Sequence, residues 1–281
     1  MEIVNRISRM AAITARVLAP EVKIGLVPTS GAINPGHINL IQAARKMADL
    51  IIVSIFANRL EFVSDEEYRA YPQDVTSDVN LLRHESVDYV FTPSEEEMYP
   101  PSFSTYVEVQ RQGSEISGLP LALFKGMATG ILKILHITNP AFVYCAEKDG
   151  IQGAILRKMI KDLNINTEVV IMPVDRESSG LAFEGRNTLL SASQREAAAV
   201  IYRSLQSAAE LVKTGETQAR KILAEITRIM QSEPLTKLEY AIAAGPETLE
   251  PVLRIEGAVI LAVGARLGTV FLSDALLLRA S

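Results

Sequence analysis

The first two thirds of the chain alternate between short apolar runs and segments with helical spacing. The apolar runs have the length of strands and lie at 23–27, 50–56, 87–91, 142–146 and 167–173. Between them apolar residues recur every three or four positions, which predicts helices. These helices are expected at 37–47, 73–84, 121–137 and 153–163. Continuous apolar strands separated by helices predict a doubly wound parallel sheet, an α/β domain covering residues 1–175.

The pattern changes near Asp175. A loop rich in Ser and Gly leads to Ser191-Ala-Ser-Gln194, which is a capping-box sequence for a helix start. Helices are predicted to about 212 and at 217–230, and strands at 238–243, 258–263 and 269–272. Helices followed by strands are typical of a separate α+β unit. We therefore predict a smaller C-terminal α+β lid domain over residues 176–281.

The N-terminal segment has an apolar stripe at helical spacing. Its members are Ile3, Ile7, Met10, Ala11, Thr14, Val17 and Leu18. They predict an amphipathic first helix that Pro20 ends. Because arginines occupy the other side and acids are nearly absent, an organellar transit peptide is the alternative. No run reaches the roughly 18 apolar residues of a membrane span, so we expect no membrane contact and a cytoplasmic location.

Composition narrows the classes of function. The net charge is −5 from 28 basic and 33 acidic residues in a chain of 281. Nucleic-acid binding is therefore not expected, since it depends on neutralising phosphates with basic residues. The single cysteine, Cys145, excludes an internal disulfide and a cysteine-rich metal site, and its apolar surroundings predict a buried side chain.

The most informative segment is 27–40, Val-Pro-Thr-Ser-Gly-Ala-Ile-Asn-Pro-Gly-His-Ile-Asn-Leu. A strand, a turn with Gly31 and Gly36, and a helix start form an arrangement that binds nucleotide phosphates. The spacing matches neither a Walker loop nor G-x-G-x-x-G. It fits the x-x-Gly-His turn of adenylate-forming and nucleotidyl-transferring α/β enzymes. A neutral His37 would donate a hydrogen bond to phosphate there; an ordinary helix-start residue is the alternative.

Polar residues at the ends of the other strands are the next candidates. Ligands of open α/β sheets bind beyond the carboxyl ends of the strands, so the turns after 27, 56, 146 and 173 are predicted to surround one cleft. Asn58 and Glu61 could bind a polar substrate, and Lys148 could bind a phosphate or carboxylate. Gln152 lies one helical turn after Lys148 and can face the same cleft. Arg186, between the two domains, could close over a triphosphate. Each could instead be a solvated surface residue.

Short motifs recur in one order along nearly the whole chain. They are Pro28-Thr29-x-Gly31-Ala32, Gly36-His37, Ser54-Ile55-Phe56-x-Asn58, Tyr71-Pro72, Glu97-Met98-Tyr99-Pro100, Glu147-Lys148-Asp149-x-x-Gln152, Arg157-Lys158-Met159, Gly180-Leu181-Ala182 and Arg186-Asn187. Together they resemble the pantoate–β-alanine ligase (pantothenate synthetase) family, with a divergent active site. The resemblance implies a Rossmann-like nucleotidyltransferase fold.

The resemblance also implies an activity, an ATP-dependent, AMP-forming carbon–nitrogen ligase of pantothenate biosynthesis. A small carboxylic acid, pantoate or a related acid, attacks the α-phosphate of ATP with Mg²⁺ on the phosphates. An amine, β-alanine or a related one, then attacks the acyl-adenylate. A homodimer is implied as well. The protein would contribute mainly positioning and charge stabilisation.

Site residues follow from the same resemblance. The residues implied in catalysis are His37, Asn34, Lys148 and Arg186. The residues implied in nucleotide binding are Pro28, Thr29, Ser30, Gly31, Gly36, Gly126 and Asp149, with Asp149 near the ribose. The residues implied in acid binding are Asn58, Glu61 and Gln152. No metal ligand is assigned.

Several positions depart from the family pattern, and they cluster on the predicted cleft. The departures are Asn34 for His, Ser30 for Met, Arg59 for Pro, Glu61 for Gln, Leu123-Phe124-Lys125-Gly126 for His-Phe-Arg-Gly and Glu184-Gly185 for Ser-Ser. A kept framework with an altered polar lining suggests retained adenylation with a changed substrate. Glu61 would favour an acid that carries an amino group, or another donor-rich acid, unless it pairs with Arg59 and the substrate is unchanged.

Two further classes of function stay open from the sequence. Loss of polar groups could leave a non-catalytic nucleotide-binding paralogue. The x-x-Gly-His turn is also compatible with a nucleotidyltransferase that releases an adenylated product. Pyrophosphate release with one added acid and no amine would separate the nucleotidyltransferase from the ligase. ATP binding without any pyrophosphate exchange would favour the non-catalytic protein.

Overall fold

The structure, a computed structural model, describes residues 1–17, 22–62, 64–109 and 121–279, without the side chains of 121–123. The described residues form two compact units. The first takes those within Met1–Val109, Leu121–Cys145 and Met159–Met172, and the second takes 146–158 and those from 173 onwards. Because the segment 146–158 groups with later residues, a division at 175 stays a prediction.

A six-stranded sheet forms the centre of the first unit. The strands are β1 (Glu2–Val4), β2 (Ile24–Thr29), β3 (Leu50–Ile55), β4 (Tyr89–Phe91), β5 (Phe142–Ala146) and β6 (Glu168–Met172), in the spatial order β1-β4-β3-β2-β5-β6. β2 pairs in parallel with both β3 and β5, and its residues Leu26 and Val27 are fully buried. The predicted α/β fold with a parallel sheet is confirmed.

Helices connect these strands, as the alternating pattern predicts. They are α1 (Ile7–Val17), α2 (Pro35–Arg45), α3 (Asp65–Ala70), α4 (Val75–Leu82), α5 (Glu95–Met98), α6 (Leu121–Thr138) and α7 (Gly150–Asp162). The short helices α3 and α5 have no counterpart in the sequence prediction. Each begins after a serine whose side chain accepts a backbone N–H, a local signal that a search for apolar spacing does not use.

The N-terminal helix begins later than predicted. Ile3 lies in β1, where it pairs with Val90 of β4, so its assignment to a helix is wrong. Strand pairing at the sheet edge overrides the helical spacing, and α1 starts only at Ile7, whose N–H donates to Glu97. The predicted end at Leu18 and Pro20 lies outside the described residues. In the part of the chain that is described, no helix is long and apolar enough to cross a membrane.

The second unit combines two long helices with an antiparallel sheet. These are α8 (Ala192–Lys213), α9 (Ala219–Gln231), β7 (Lys237–Ala244), β8 (Ala258–Leu267) and β9 (Val270–Arg279), with strand order β7-β8-β9. The capping box of Ser191 and Gln194 starts α8, as predicted. Buried side chains of α8, α9 and the sheet form one core. The predicted small α+β unit is confirmed.

Two details differ from expectation. β9 continues to Arg279, well past the predicted end at 272, because it pairs with β8 along its whole length. Cys145 is only partly buried, and it is the next-to-last residue of β5, near the carboxyl end of that strand.

Candidate functional site

The glycine turn, residues 28–37, joins β2 to α2 in the first unit. Asn34 is the N-cap of α2: its side-chain Oδ1 accepts the Gly36 N–H at 3.1 Å, and Pro35 takes the first helical position. The helix therefore begins two residues before the predicted start at His37, because Pro35 is suited to the first turn of a helix. Asn34 thus has a structural function, and its contact with a phosphate stays a prediction.

His37 is fixed by two hydrogen bonds. Its Nδ1 accepts the backbone N–H of Asn34 at 3.3 Å, and its Nε2 lies 3.0 Å from Thr29 Oγ1. Because Nδ1 accepts a hydrogen bond, the ring proton is assigned to Nε2, which gives a neutral imidazole. This agrees with the neutral His37 expected at a helix start. Pro28, Ser30, Gly31 and Gly36 line the same turn.

Asp78, which the sequence analysis missed, holds the turn in shape. Its two carboxylate oxygens accept the N–H groups of Ala32 at 3.0 Å and Ile33 at 2.8 Å. Gly31 and Ala32 have φ of 96° and 52°, a region that costs energy for the alanine. Burial raises the pKa of Asp78, against the two amide hydrogen bonds. The feature of the sequence that could have identified Asp78 is an acidic residue on the apolar stripe of α4.

Asn58 is the centre of a second cluster in the first unit, after β3. Its side chain is 1% exposed, and its Nδ2 donates to Glu61 Oε1 at 2.8 Å and to the Gly126 carbonyl at 3.0 Å. Its Oδ1 accepts the Leu60 N–H at 3.1 Å, which caps the short 3₁₀ turn Arg59–Glu61. Asn58 therefore orients the Glu61 carboxylate. The Arg59 guanidinium forms two short contacts with Asp65.

Gly126 on α6 allows this cluster to form. A Cβ atom at this position would lie 2.4 Å from the Leu60 carbonyl oxygen, so only glycine fits. One turn later, a Cβ at Gly130 would lie 2.6 Å from Asn58 Nδ2. The described contacts of Gly126 are with the Asn58 turn, and its predicted contact with the nucleotide remains a prediction.

Gly126→Ala tests this packing. We expect it to lower the free energy of unfolding by about 2–3 kcal/mol, because the methyl group meets rigid backbone. That exceeds the roughly 1 kcal/mol that alanine gains in a helix. Denaturant titration of the variant measures the loss. Gly257→Ala is the matched control, since a Cβ there has open space around it; equal stability of the two variants would contradict the argument.

Two further side chains that the sequence analysis did not select belong to this region: Tyr99 lies beside Asn58, and Lys133 lies over the Tyr99 ring. The Tyr99 hydroxyl is buried and has no hydrogen-bond partner among the described residues. Burial, with the charge of Glu61, raises the pKa of Tyr99, so it is a neutral donor. The Lys133 ammonium lies 5.5 Å from the Tyr99 ring centroid and 4.7 Å from that of Phe103. An unpartnered donor and a cation suit a ligand that carries a carboxylate.

The charged site of the second unit is the Lys148 cluster, formed by Lys148, Asp149, Glu184 and Arg186. Lys148 Nζ donates to Asp149 Oδ1 at 2.7 Å and lies 3.6 Å from Glu184 Oε2. Arg186 Nη1 is 4.0 Å from the other oxygen of Glu184. The Lys148 and Glu184 side chains are only 15% and 12% exposed. Four charges therefore meet at a largely buried point.

Electrostatics keep Lys148 positively charged. Burial lowers its pKa, but the carboxylates of Asp149 and Glu184 raise it more, so the pKa lies above its usual value. Burial also raises the pKa of Glu184, against the lowering effect of Lys148 and Arg186. The cluster thus presents a fixed ammonium and a guanidinium, which is what a phosphate or carboxylate requires.

Strand β9 positions the turn that carries Lys148. The preceding residue, Glu147, accepts the N–H of Leu277 with its carboxylate at 3.0 Å. The following Gly150 approaches closely: a Cβ there would lie 3.0 Å from Ala275 and 3.2 Å from Ile260. Gln152 lies half-buried in the first turn of α7 that follows. The location of Lys148 therefore depends on the last strand of the chain.

A buried ion pair supports the segment on which Arg186 lies. The Arg176 guanidinium donates to both oxygens of Asp274, at 2.5 and 3.0 Å, and the two side chains are 12% and 5% exposed. The guanidinium also stacks on Tyr202, 3.6 Å from the ring centroid. Asn187 Nδ2 donates to the Ala182 carbonyl at 2.8 Å. These bonds connect the segment 176–187 to β9 and α8.

The structure thus gathers the predicted residues into three clusters. The first unit holds the glycine turn with His37 and, separately, Asn58 with Glu61 and Gly126. The second unit holds Lys148, Asp149 and Arg186. That all of them surround a single ATP molecule remains a prediction.

Comparisons with known proteins agree on one family. The family model described as Pantoate-beta-alanine ligase matches residues 2–277. The chain is 39% identical to a pantothenate synthetase of Thermosipho africanus over 275 residues, 98% of this chain and 99% of that protein. It is 38% identical to one of Caldicellulosiruptor saccharolyticus, with 98% of each covered.

Solved structures give the same result. Pantothenate synthetase from Thermus thermophilus superposes with a TM-score of 0.87 at 32% identity, covering 98% of this chain and 99% of that one. Pantoate-beta-alanine ligase from Francisella tularensis, complexed with Beta-gamma ATP and Beta-alanine, gives a TM-score of 0.76 at 31% identity. That comparison covers 99% of this chain and 97% of the other.

Proposed function

Because the chain belongs to the pantoate–β-alanine ligase family, and is therefore an ATP-dependent ligase that forms a carbon–nitrogen bond, we propose how its polar clusters divide the reaction. A pantoate carboxylate oxygen attacks the α-phosphorus of ATP, and pyrophosphate leaves. The amine of β-alanine then attacks the acyl carbon, AMP leaves, and the nitrogen loses a proton. The ligase interpretation of the sequence is supported over the non-catalytic and changed-substrate alternatives.

The Lys148 cluster is the observation that carries this proposal. A largely buried ammonium that stays charged is suited to a polyanionic substrate, and the Arg186 guanidinium lies near the same carboxylate, that of Glu184. Lys148 bridges the phosphate and the acid's carboxylate in the first step, and it stabilises negative charge that develops at the α-phosphate. Arg186 holds the outer phosphates, Asp149 is near the ribose, and Gln152 contacts the acid.

The first unit contributes two parts. The glycine turn places the start of α2, with its helix dipole, at the phosphates, and His37 is neutral at this point. The N–H groups of Ala32, Ile33 and Gly36 are bonded within the first unit and hold the turn in shape. Pro28, Thr29, Ser30, Gly31 and Gly36 shape that turn. The Asn58 cluster receives the acid: the Glu61 carboxylate accepts from its hydroxyl groups. Tyr99 and Lys133 supply a donor and a cation.

Magnesium, quaternary structure and location complete the proposal. Among the described residues no group of three or more His, Cys, Asp or Glu side chains could hold a metal ion. The family resemblance implies Mg²⁺ on the phosphates of ATP, where it would neutralise charge, and we assign it no protein ligand. We propose a homodimer from the family resemblance, and a cytoplasmic location as expected from the sequence.

Isotope exchange tests the first step separately from the second. With ATP, Mg²⁺ and pantoate but no amine, we expect label from pyrophosphate to enter ATP, because the acyl-adenylate forms reversibly. Addition of β-alanine should then release AMP and the amide in equal amounts. Absence of acid-dependent exchange would contradict the adenylate route. Exchange without amide formation would instead favour a nucleotidyltransferase.

A further inference from the structure

Glu184 occupies a place where a carboxylate conflicts with the proposed substrate. The resemblance to the family places Ser-Ser at the positions of Glu184 and Gly185, so a neutral hydroxyl is replaced by a charge. The Glu184 carboxylate lies 3.6 Å from Lys148 Nζ and 4.0 Å from Arg186 Nη1. These are the two cations that the proposed function assigns to the phosphates.

Neither solvent nor the neighbouring carboxylates screen the negative charge of Glu184. The Glu184 side chain is 12% exposed, so water screens it little. Asp149 and Asp274, two further carboxylates, also act on Glu184 and disfavour its ionised form. An additional anion at Lys148 and Arg186 must therefore either displace the Glu184 side chain or tolerate its repulsion.

The Lys148 side chain can remain ordered without its contact to Glu184. Its shorter contact is with Asp149 Oδ1 at 2.7 Å, which leaves one carboxylate in place when Glu184 is neutral or turned away. Glu184 sits at the start of the 3₁₀ turn Gly185–Leu189, and its side chain caps no backbone N–H there. The carboxylate is therefore available for exchange with a ligand.

We propose that Glu184 is an internal counter-anion that competes with the phosphates of ATP for Lys148 and Arg186. It is a specificity-determining residue that sets the affinity for polyanionic substrates. The proposal rests on the assignment of Lys148 and Arg186 to the phosphates. A variant with a neutral residue of the same shape at position 184 should bind ATP more tightly than the unsubstituted chain.

Calorimetric titration of the full chain with ATP tests the competition. Glu184→Gln should lower the dissociation constant for ATP about tenfold or more, because it removes a like charge that opposes the phosphates in a poorly solvated site. Adenosine, which has no phosphate, should not share this gain. The Michaelis constant for ATP in the ligase reaction should fall in parallel.

Two further variants test whether the loss of any paired carboxylate, or the shape of the replacement residue, accounts for the result. Glu239→Gln is the matched control, because it also neutralises a carboxylate between two cations, Lys237 at 3.2 Å and Arg266 at 3.3 Å. Its affinity for ATP should equal that of the unsubstituted chain. Glu184→Ser, the smaller neutral replacement, should reproduce the gain of Glu184→Gln. Thermal unfolding of each variant checks that it is folded.

The outcomes are distinct. Unchanged or weaker ATP binding by Glu184→Gln, or an equal gain for adenosine, overturns the proposal. If pantoate-dependent exchange occurs while affinity is unchanged, only the competition is wrong. If Glu184→Gln binds ATP more tightly but no exchange occurs with any acid, only the proposed function is wrong. Undetectable ATP binding in every variant overturns both.

Discussion

Lys148→Ala lowers the rate of pantoate-dependent ATP–pyrophosphate exchange by about 10²–10³-fold or more, the cost of removing one preorganised charge-stabilising group. Among the described residues, no ammonium other than that of Lys148 lies between Asp149 and Glu184, so nothing replaces its charge. The rate of exchange at saturating ATP and pantoate measures the effect. Because the change acts on charge that develops in the transition state, saturation with substrate should not restore the rate.

A matched lysine separates this effect from a general change of charge. Lys213→Ala removes the ammonium of a highly exposed side chain at the end of α8, with the same change in net charge. Its exchange rate should equal that of the unsubstituted chain. Circular dichroism of Lys148→Ala should show retained secondary structure. A folded Lys148→Ala protein with normal exchange would remove Lys148 from the proposed mechanism.

Asp274→Ala should reduce the free energy of unfolding by about 3–5 kcal/mol, the typical loss when one partner of a buried ion pair is removed. The Arg176 guanidinium would remain in a pocket where it is 12% exposed, stacked on Tyr202, without its two charge-assisted hydrogen bonds. The Ala275 N–H would lose its bond to Asp274 as well. Denaturant titration followed by circular dichroism measures the loss.

Two comparisons make this result specific. Glu210→Ala breaks the exposed pair of Glu210 with Lys213 and should cost no more than about 1 kcal/mol. Replacement of both Arg176 and Asp274 by leucine removes the uncompensated charge, so it should recover part of the loss. A cost for Asp274→Ala as small as that for Glu210→Ala would show that the pair does not stabilise the segment 176–187.

The architecture of the chain was accessible from the sequence because it depends on local regularity. Continuous apolar runs specify strands buried on both faces, and five of the six strands of the parallel sheet were predicted within a few residues. The exception, β1, is three residues long, and its role depends on pairing with β4, far away along the chain. Apolar spacing contains no information about such a pairing.

The candidate residues were accessible for a related reason. Chemistry in an open α/β sheet lies just beyond strand ends, so the positions of Asn34, His37, Asn58 and Lys148 follow once the strands are located. The resemblance to a known family then assigned them roles. The burial and the long-range hydrogen bonds of these residues were not predictable in this way, because they depend on atoms from other segments.

Only the tertiary structure shows which distant residues hold the candidate residues in place. Asp78 holds the glycine turn across 45 residues of sequence, Arg176 meets Asp274 across 98, and Glu147 meets Leu277 across 130. A partner so distant has no fixed spacing, so no pattern in the sequence marks it. The sequence alone determined the longer helices and strands and the chemistry at their ends. The fold determined which distant groups bring that chemistry into position, because those contacts exist only after the chain has folded.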